Sequence, residues 1–307
     1  MEIEKSEDEM HVMLRTFKSA LSSFASSPDA FRILSSVPKH SPPHSLSTST
    51  STLYVLDSSF NPPTRAHLRI ARTALTEDAG TAPKRLLLLL ATQNADKAPK
   101  PASFEQRLAM MSIFAGDLRR HLQAPSETDA GAAGETAAAA AAAAAILSID
   151  IGITKCPYFV DKAAAIARAD FYSDETTQVH LTGFDTLIRI LDPKYYPPAK
   201  TLAPLEPFLS RHRLRVTYRP DADWGDRGAQ DWYLRDLKDG KRVREGGKVE
   251  WADKIEMVDG RVEGEAIISS TKVREACQRG DEEALGELVT DGVRDWLLEE
   301  KLYLDDS

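Results

Sequence analysis

The chain has 307 residues, 42% of them hydrophobic and 28% charged, the balance of an ordinary globular protein with a sizeable core. Its net charge of −8 argues against a duplex nucleic-acid binder, which needs a basic face; no DNA or RNA partner is expected. Two distant cysteines, Cys156 and Cys277, suit neither a disulfide framework nor a zinc site.

In chain order, residues 9–27 carry Val12, Leu14, Phe17, Leu21 and Phe24 at helical spacing, which predicts an N-terminal helix. The acidic start is unlike a transit peptide, and no apolar run approaches the ~20 residues that cross a bilayer. The expectation is a cytoplasmic or nuclear protein with no membrane partner. The stretch SSVPKHSPPHSLSTSTST reads as a linker, so residues 1–50 form a helix plus linker and 51–307 the main domain. From Leu53 onward, apolar runs alternate with helical patterns. Strands are expected at Leu53–Leu56, Arg85–Ala91, Ile146–Ile151, Gln178–Thr182 and Leu214–Tyr218. Helices are expected at Arg65–Glu77, Phe104–Leu118, Asp161–Ala169 and Phe184–Leu191. This order implies an α/β fold, a doubly wound parallel sheet whose ligand crevice lies at the carboxyl ends of the strands.

Two stretches interrupt the alternation. Residues 122–145 end in nine alanines and read as a low-complexity insertion without chemistry. Residues 221–250 are highly charged and read as an exposed helix or loop covering the sheet edge. Glu282–Leu302 has the spacing of a C-terminal helical cap.

Two short motifs carry chemistry. DSSFNPPTRAHL (57–68) follows the first expected strand: small Ser58 and Ser59 allow backbone N–H groups near a phosphate, Pro62-Pro63 stiffen the loop, and Thr64 suits an N-cap. His67 then falls in the first helical turn, at the positive end of the dipole. Alone, this is equally a proline turn with an incidental histidine. IISSTKVR (267–274) opens another helix, where Ser269, Ser270 and Thr271 offer donors for an anion and Arg274 a planar cationic fork. Alone, it is equally an ordinary cap.

Taken together, the motifs resemble the nucleotidylyltransferase superfamily with an HxGH-like loop, and its nicotinamide-mononucleotide adenylyltransferase branch in particular. Ser59 to Leu68 (SFNPPTRAHL) resembles that branch's GSFNPxTxxHL loop from its second position, and Ser269 to Arg274 its SSTxxR signature. The likeness spans about residues 52–300 and is greatest to divergent fungal members. Ser58 stands where the family loop has glycine, and Ala66 where the wider superfamily has the glycine of HxGH.

The resemblance implies adenylyl transfer from ATP to nicotinamide mononucleotide (NMN) or nicotinic acid mononucleotide, with Mg²⁺ carried on the phosphates. It places His67 and the Ser59 and Phe60 backbone at the α- and β-phosphates, with Thr64 beside them. Ser269, Ser270, Thr271 and Arg274 fall at the β- and γ-phosphates, and Lys97 and Arg107 among basic residues facing phosphate. Gly183 and Asp185 fall at the nucleotide sugar; Asp185 is equally a helix cap on its own pattern. The family's stacking tryptophans have no counterpart here, and Tyr158, Phe159, Tyr195 and Tyr196 are the aromatic candidates for the second nucleotide. Two other readings stay open. RVEGEAIISST resembles the RTEGIST pattern of cytidylyltransferases, and a nucleotide-binding interaction protein with little catalysis fits the Ser58 change and the insertions. A homo-oligomer or a protein partner is compatible with all of these.

Overall fold

The structure is a computed structural model and describes residues 2–38, 52–77, 84–93, 102–123, 146–219, 224–260 and 266–304. The elements run α1 (Glu2–Ser26), β1 (Phe31–Val37), β2 (Thr52–Asp57), α2 (Arg65–Glu77), β3 (Lys84–Ala91) and α3 (Phe104–Gln123). They continue as β4 (Ile146–Thr154), α4 (Phe159–Arg168), β5 (Thr177–Gly183), α5 (Phe184–Ile190), short helical turns over 193–209 and β6 (Arg213–Thr217). The rest are α6 (Arg227–Lys238), β7 (Ile255–Val258), α7 (Ser270–Arg279), α8 (Glu282–Leu288) and α9 (Asp291–Glu299).

Seven strands form one sheet in the order β1-β4-β3-β2-β5-β6-β7, parallel except for β1, which pairs antiparallel with β4. The strand composition explains the centre of this order. In β3, Leu86 to Leu90 are almost wholly buried, because a parallel strand covered on both faces has no polar side. Each such leucine contributes roughly 1.5–3 kcal/mol of burial. Alternation then assigns the faces. Tyr54, Leu56, Leu86, Leu88 and Leu90 pack in the core formed with α1, α2, α3 and α7–α9, whereas Leu53, Val55, Leu87 and Leu89 pack against Ala165 and Ile166 of α4. A further core joins α5, the turns near 205 and Trp251 around Leu214 and Val216 of β6.

Strand β2 has β3 on one side and β5 on the other, so the chain winds outward through β3 and β4, then returns to build β5 to β7. That reversal opens a crevice between the carboxyl ends of β2 and β5.

The five expected strands and their helices are present. Three features were not anticipated. β1 and β7 are edge strands: β1 has one buried residue in seven and a Ser-Ser pair, and β7 is four residues long, so neither has an apolar run. The serine-rich stretch expected as linker therefore begins inside β1, and its residues 39–51 lie outside the described ones. The C-terminal cap is two helices rather than one, broken at Val289 and Thr290. Within 221–250, α6 packs along the 3-10 turn Val249–Lys254, which in turn contacts β7. The alanine run lies outside the described residues.

Candidate functional site

A cleft of about 680 Å³ lies at the switch point. Strand ends supply Leu56 to Ser59 from β2, Ala91 to Gln93 from β3, and Leu181 to Gly183 from β5; helices add His67, Arg107, Lys162, Asp185 and Arg189. Of the residues singled out in the sequence, Ser59, His67, Arg107, Tyr158, Phe159, Gly183, Asp185, Tyr195 and Tyr196 line it. Phe60, Thr64, Ser269, Ser270, Thr271 and Arg274 do not line it, and Lys97 lies outside the described residues.

The first loop is shaped by His67. The Thr64 N–H donates to His67 Nδ1 at 3.0 Å, while the Thr64 carbonyl accepts the first helical bond from Leu68. This is the back-reaching half of a capping box, with histidine in the place of the usual Glu or Gln, and the Thr64 hydroxyl lies 2.9 Å from the same nitrogen. Because a backbone N–H can only donate, Nδ1 is the acceptor and the ring proton sits on Nε2, from which it is donated to Ser58 Oγ at 2.9 Å. Burial, and secondarily the Arg219 guanidinium, push His67 down to about 4. At neutral pH the imidazole is an uncharged donor.

Ser58, the departure from the family's glycine, needs no glycine conformation. Its φ is not positive; the left-handed residue of the loop is Phe60, at φ 45°. The Phe60 ring is buried, 5.4 Å from the His67 ring, and the loop is anchored from outside. Ser270 Oγ donates to the Pro62 carbonyl at 2.8 Å, Arg274 Nη1 to the Asn61 carbonyl at 2.8 Å, and Tyr303 Oη to Asn61 Oδ1 at 2.7 Å. Ser269 caps α7 by accepting from the Lys272 N–H, and Thr271 Oγ1 accepts from Arg274 Nη2. The second motif thus grips the first motif's backbone, which neither motif discloses alone.

On the β5 side, Gly183 leaves room for the Asp185 and Arg219 side chains, which would have to shift for any larger residue. A Cβ there would come within 2.5 Å of Asp185 Oδ1 and 2.8 Å of Arg219 Nε. Asp185 does not cap α5; the N-cap is Gly183, with no side-chain bond, and Asp185 accepts from Arg219 Nε at 2.7 Å instead. Arg219, just beyond β6, was not singled out in the sequence, and neither were Asp57 and Lys162, which pair at the cleft floor nearly excluded from solvent. Asp57 opens the quoted loop, but its partner is 105 residues away. No local pattern signals such a pair.

Among the aromatic candidates, Tyr158, Phe159 and Tyr195 line the cleft part-exposed, while Tyr196 is buried with its hydroxyl donating to the Ile190 carbonyl at 2.6 Å. Among the described residues, no group of three or more His, Cys, Asp or Glu is placed to hold a metal. The cleft carboxylates Asp57 and Asp185 each face a cation already. These residues do not fit a protein-held Mg²⁺.

The Cytidylyltransferase-like family model matches residues 55–215, from β2 into β6. A Schizosaccharomyces pombe protein named "Putative nicotinamide mononucleotide adenylyltransferase" is 32% identical over 244 residues, covering 80% of this chain and 83% of that protein. The chain belongs to the cytidylyltransferase-like family, in its nicotinamide-mononucleotide adenylyltransferase branch. Two solved structures of the Plasmodium falciparum nicotinic acid mononucleotide adenylyltransferase align with this family member. One, complexed with NaAD, is 12% identical with a TM-score of 0.48; the other, complexed with APC, is 11% identical with a TM-score of 0.49. Each alignment covers 82% of this chain and 97% of the other.

Proposed function

We propose that the protein transfers the adenylyl group of ATP to nicotinamide mononucleotide or its deamido analogue, releasing pyrophosphate. A phosphate oxygen of the mononucleotide attacks the α-phosphorus in line; the new P–O bond forms as the bond to pyrophosphate breaks, with no covalent enzyme intermediate. Such a reaction asks a protein for positioning and charge stabilisation rather than a nucleophile. The observation that carries this reading is the union of the two motifs: Arg274 and Ser270 hold the Asn61 and Pro62 carbonyls and so set the loop that presents His67 to the cleft.

In this scheme His67 Nε2–H turns from Ser58 to a non-bridging oxygen of the α-phosphate. The backbone at Ser59 lies along the phosphates, with the buried Phe60 behind it. Ser269, Ser270, Thr271 and Arg274 act on the phosphates indirectly, through the loop they brace, and Asp185 meets a ribose hydroxyl. Mg²⁺ would be held by the nucleotide rather than by these side chains, and would supply charge neutralisation at the phosphates. Tyr158, Phe159 and Tyr195 form the wall for the pyridine ring.

The test is incubation of purified protein with ATP, Mg²⁺ and either mononucleotide, with detection of the dinucleotide and pyrophosphate; CTP with a phosphoalcohol serves as the control pair. Formation of NAD or its deamido form supports the proposal. Nucleotide binding without either product overturns it in favour of an interaction protein.

A further inference from the structure

The polar floor of the cleft is a built site, and its register shows which groups share it. Leu56 of β2 pairs with Leu181 of β5, and both side chains face the α1–α3 core. One residue on, Asp57 and Thr182 therefore stand at adjacent strand ends and point to the opposite face, toward α4. Lys162, in the first turns of α4, meets Asp57 there; the two side chains are 7% and 9% exposed. Its ammonium lies 5.2 Å from the centroid of the Phe159 ring, which ties the pair to the aromatic wall. Thr182 is 6% exposed, lines the cleft, and its Oγ1 has no hydrogen-bond partner among the described residues.

We infer that Asp57, Lys162 and Thr182 read the carboxamide of the acceptor's pyridine ring, so that the cleft selects the amide mononucleotide over its acid analogue. This rests on the adenylyl-transfer reading and narrows its acceptor. A ring laid on the wall of Tyr158 and Phe159 brings its substituent to the floor that Lys162 shares with that wall. The carboxylate of Asp57 offers acceptors only, the ammonium three donors, and a threonine hydroxyl either role. A carboxamide satisfies all of them: its NH₂ donates to Asp57, and its oxygen accepts from Lys162 or Thr182. A carboxylate has no proton for Asp57 and sets a like charge against it, the repulsive half of specificity. A neutral ion pair, rather than a free cation, is the floor an amide reader needs.

The experiment measures kcat/KM for NMN and for nicotinic acid mononucleotide with the full-length protein and three variants. Wild type is expected to favour the amide by at least about 10-fold, the scale of discrimination when buried polar groups would be left unpaired. Asp57→Asn, which removes the charge and supplies a donor, is expected to cut that ratio by about 10-fold or more. Thr182→Val, close in shape to threonine, is expected to cut it by roughly 3- to 10-fold, and serves if the Asp57 variant does not fold. A wild-type preference for the acid overturns the inference. So does an equal loss on both acceptors in the Asp57 and Thr182 variants, which would make these residues structural ties. So does a ratio that responds to Arg189→Gln, an exposed cation of the cleft lining, and not to Asp57→Asn. If no dinucleotide forms with either acceptor, the adenylyl-transfer reading falls. Calorimetric affinities of the two mononucleotides then decide the floor's selectivity separately, by the same ratios.

Discussion

His67 is the residue on which the sequence and the geometry meet most directly. Held by Thr64 and Ser58 and pushed down to about 4, it is neutral across the physiological range. An incoming triphosphate favours the protonated ring, so nucleotide binding between pH 5 and 6 should take up protons, seen as a buffer-dependent heat in calorimetry. His67→Ala should lower turnover at least ~10²-fold, as for the loss of one electrostatic donor; steady-state rates at saturating ATP check it. Histidine burial also has a sign for stability. His67, His180 and His212 sit at about 4, 3 and 4 in the folded state, against ~6.5 unfolded. Below ~6.5 the unfolded chain binds more protons, so stability falls on acidification from about pH 6.5 toward 4. Urea midpoints at pH 7 and pH 5 would show the difference. The Ser58 side chain, read from sequence as a departure, has its physical role here as the resting partner of the ring.

At the scale of elements, α7 and the segment around Tyr303 act as a brace on the loop after β2. Arg274→Lys keeps the charge but loses the fork that spans the Asn61 carbonyl and Thr271, and should raise KM for ATP about 10-fold. Tyr303→Phe removes one hydroxyl and leaves the buried Asn61 amide short of a partner, which should cost about 1–3 kcal/mol, readable by denaturant titration. The elements on either side of this brace were legible because each carries a local signal: a period of 3.6 in α2, a leucine run in β3, a Ser/Thr cap before α7. Their mutual contact was not, since no periodicity encodes which carbonyl an arginine 213 residues away will choose. The same holds for Arg219 on Asp185 and Lys162 on Asp57. The edge strands escaped for a different reason, having too little buried surface to leave a pattern.

Across the whole molecule, the cleft half of the sheet is complemented by a second polar centre that has no part in the cleft lining. Arg85 and Asp150 form a two-bonded ion pair at 2.8 and 2.9 Å, almost wholly buried, with Tyr172, Ser36 and Ser148 donating to the same carboxylate. Removing one partner strands a charge in the interior, so Asp150→Ala should destabilise the fold by about 3–5 kcal/mol while the surviving folded fraction keeps its KM. Thermal unfolding paired with kinetics on the soluble protein separates the two effects. The overall architecture was readable from strand–helix alternation because a doubly wound sheet repeats one local pattern; the ion pair was not, because Arg85 and Asp150 sit on strands 65 residues apart.

The brace on the loop also bears on synthesis. Asn61 emerges early, yet its side chain and carbonyl wait for Tyr303 and Arg274, up to 242 residues downstream. Until those residues are made, the loop after β2 lacks its ties at the Asn61 carbonyl and side chain. A product that stops before α7 would carry the strands of both cleft walls without the three bonds that tie down the loop between them.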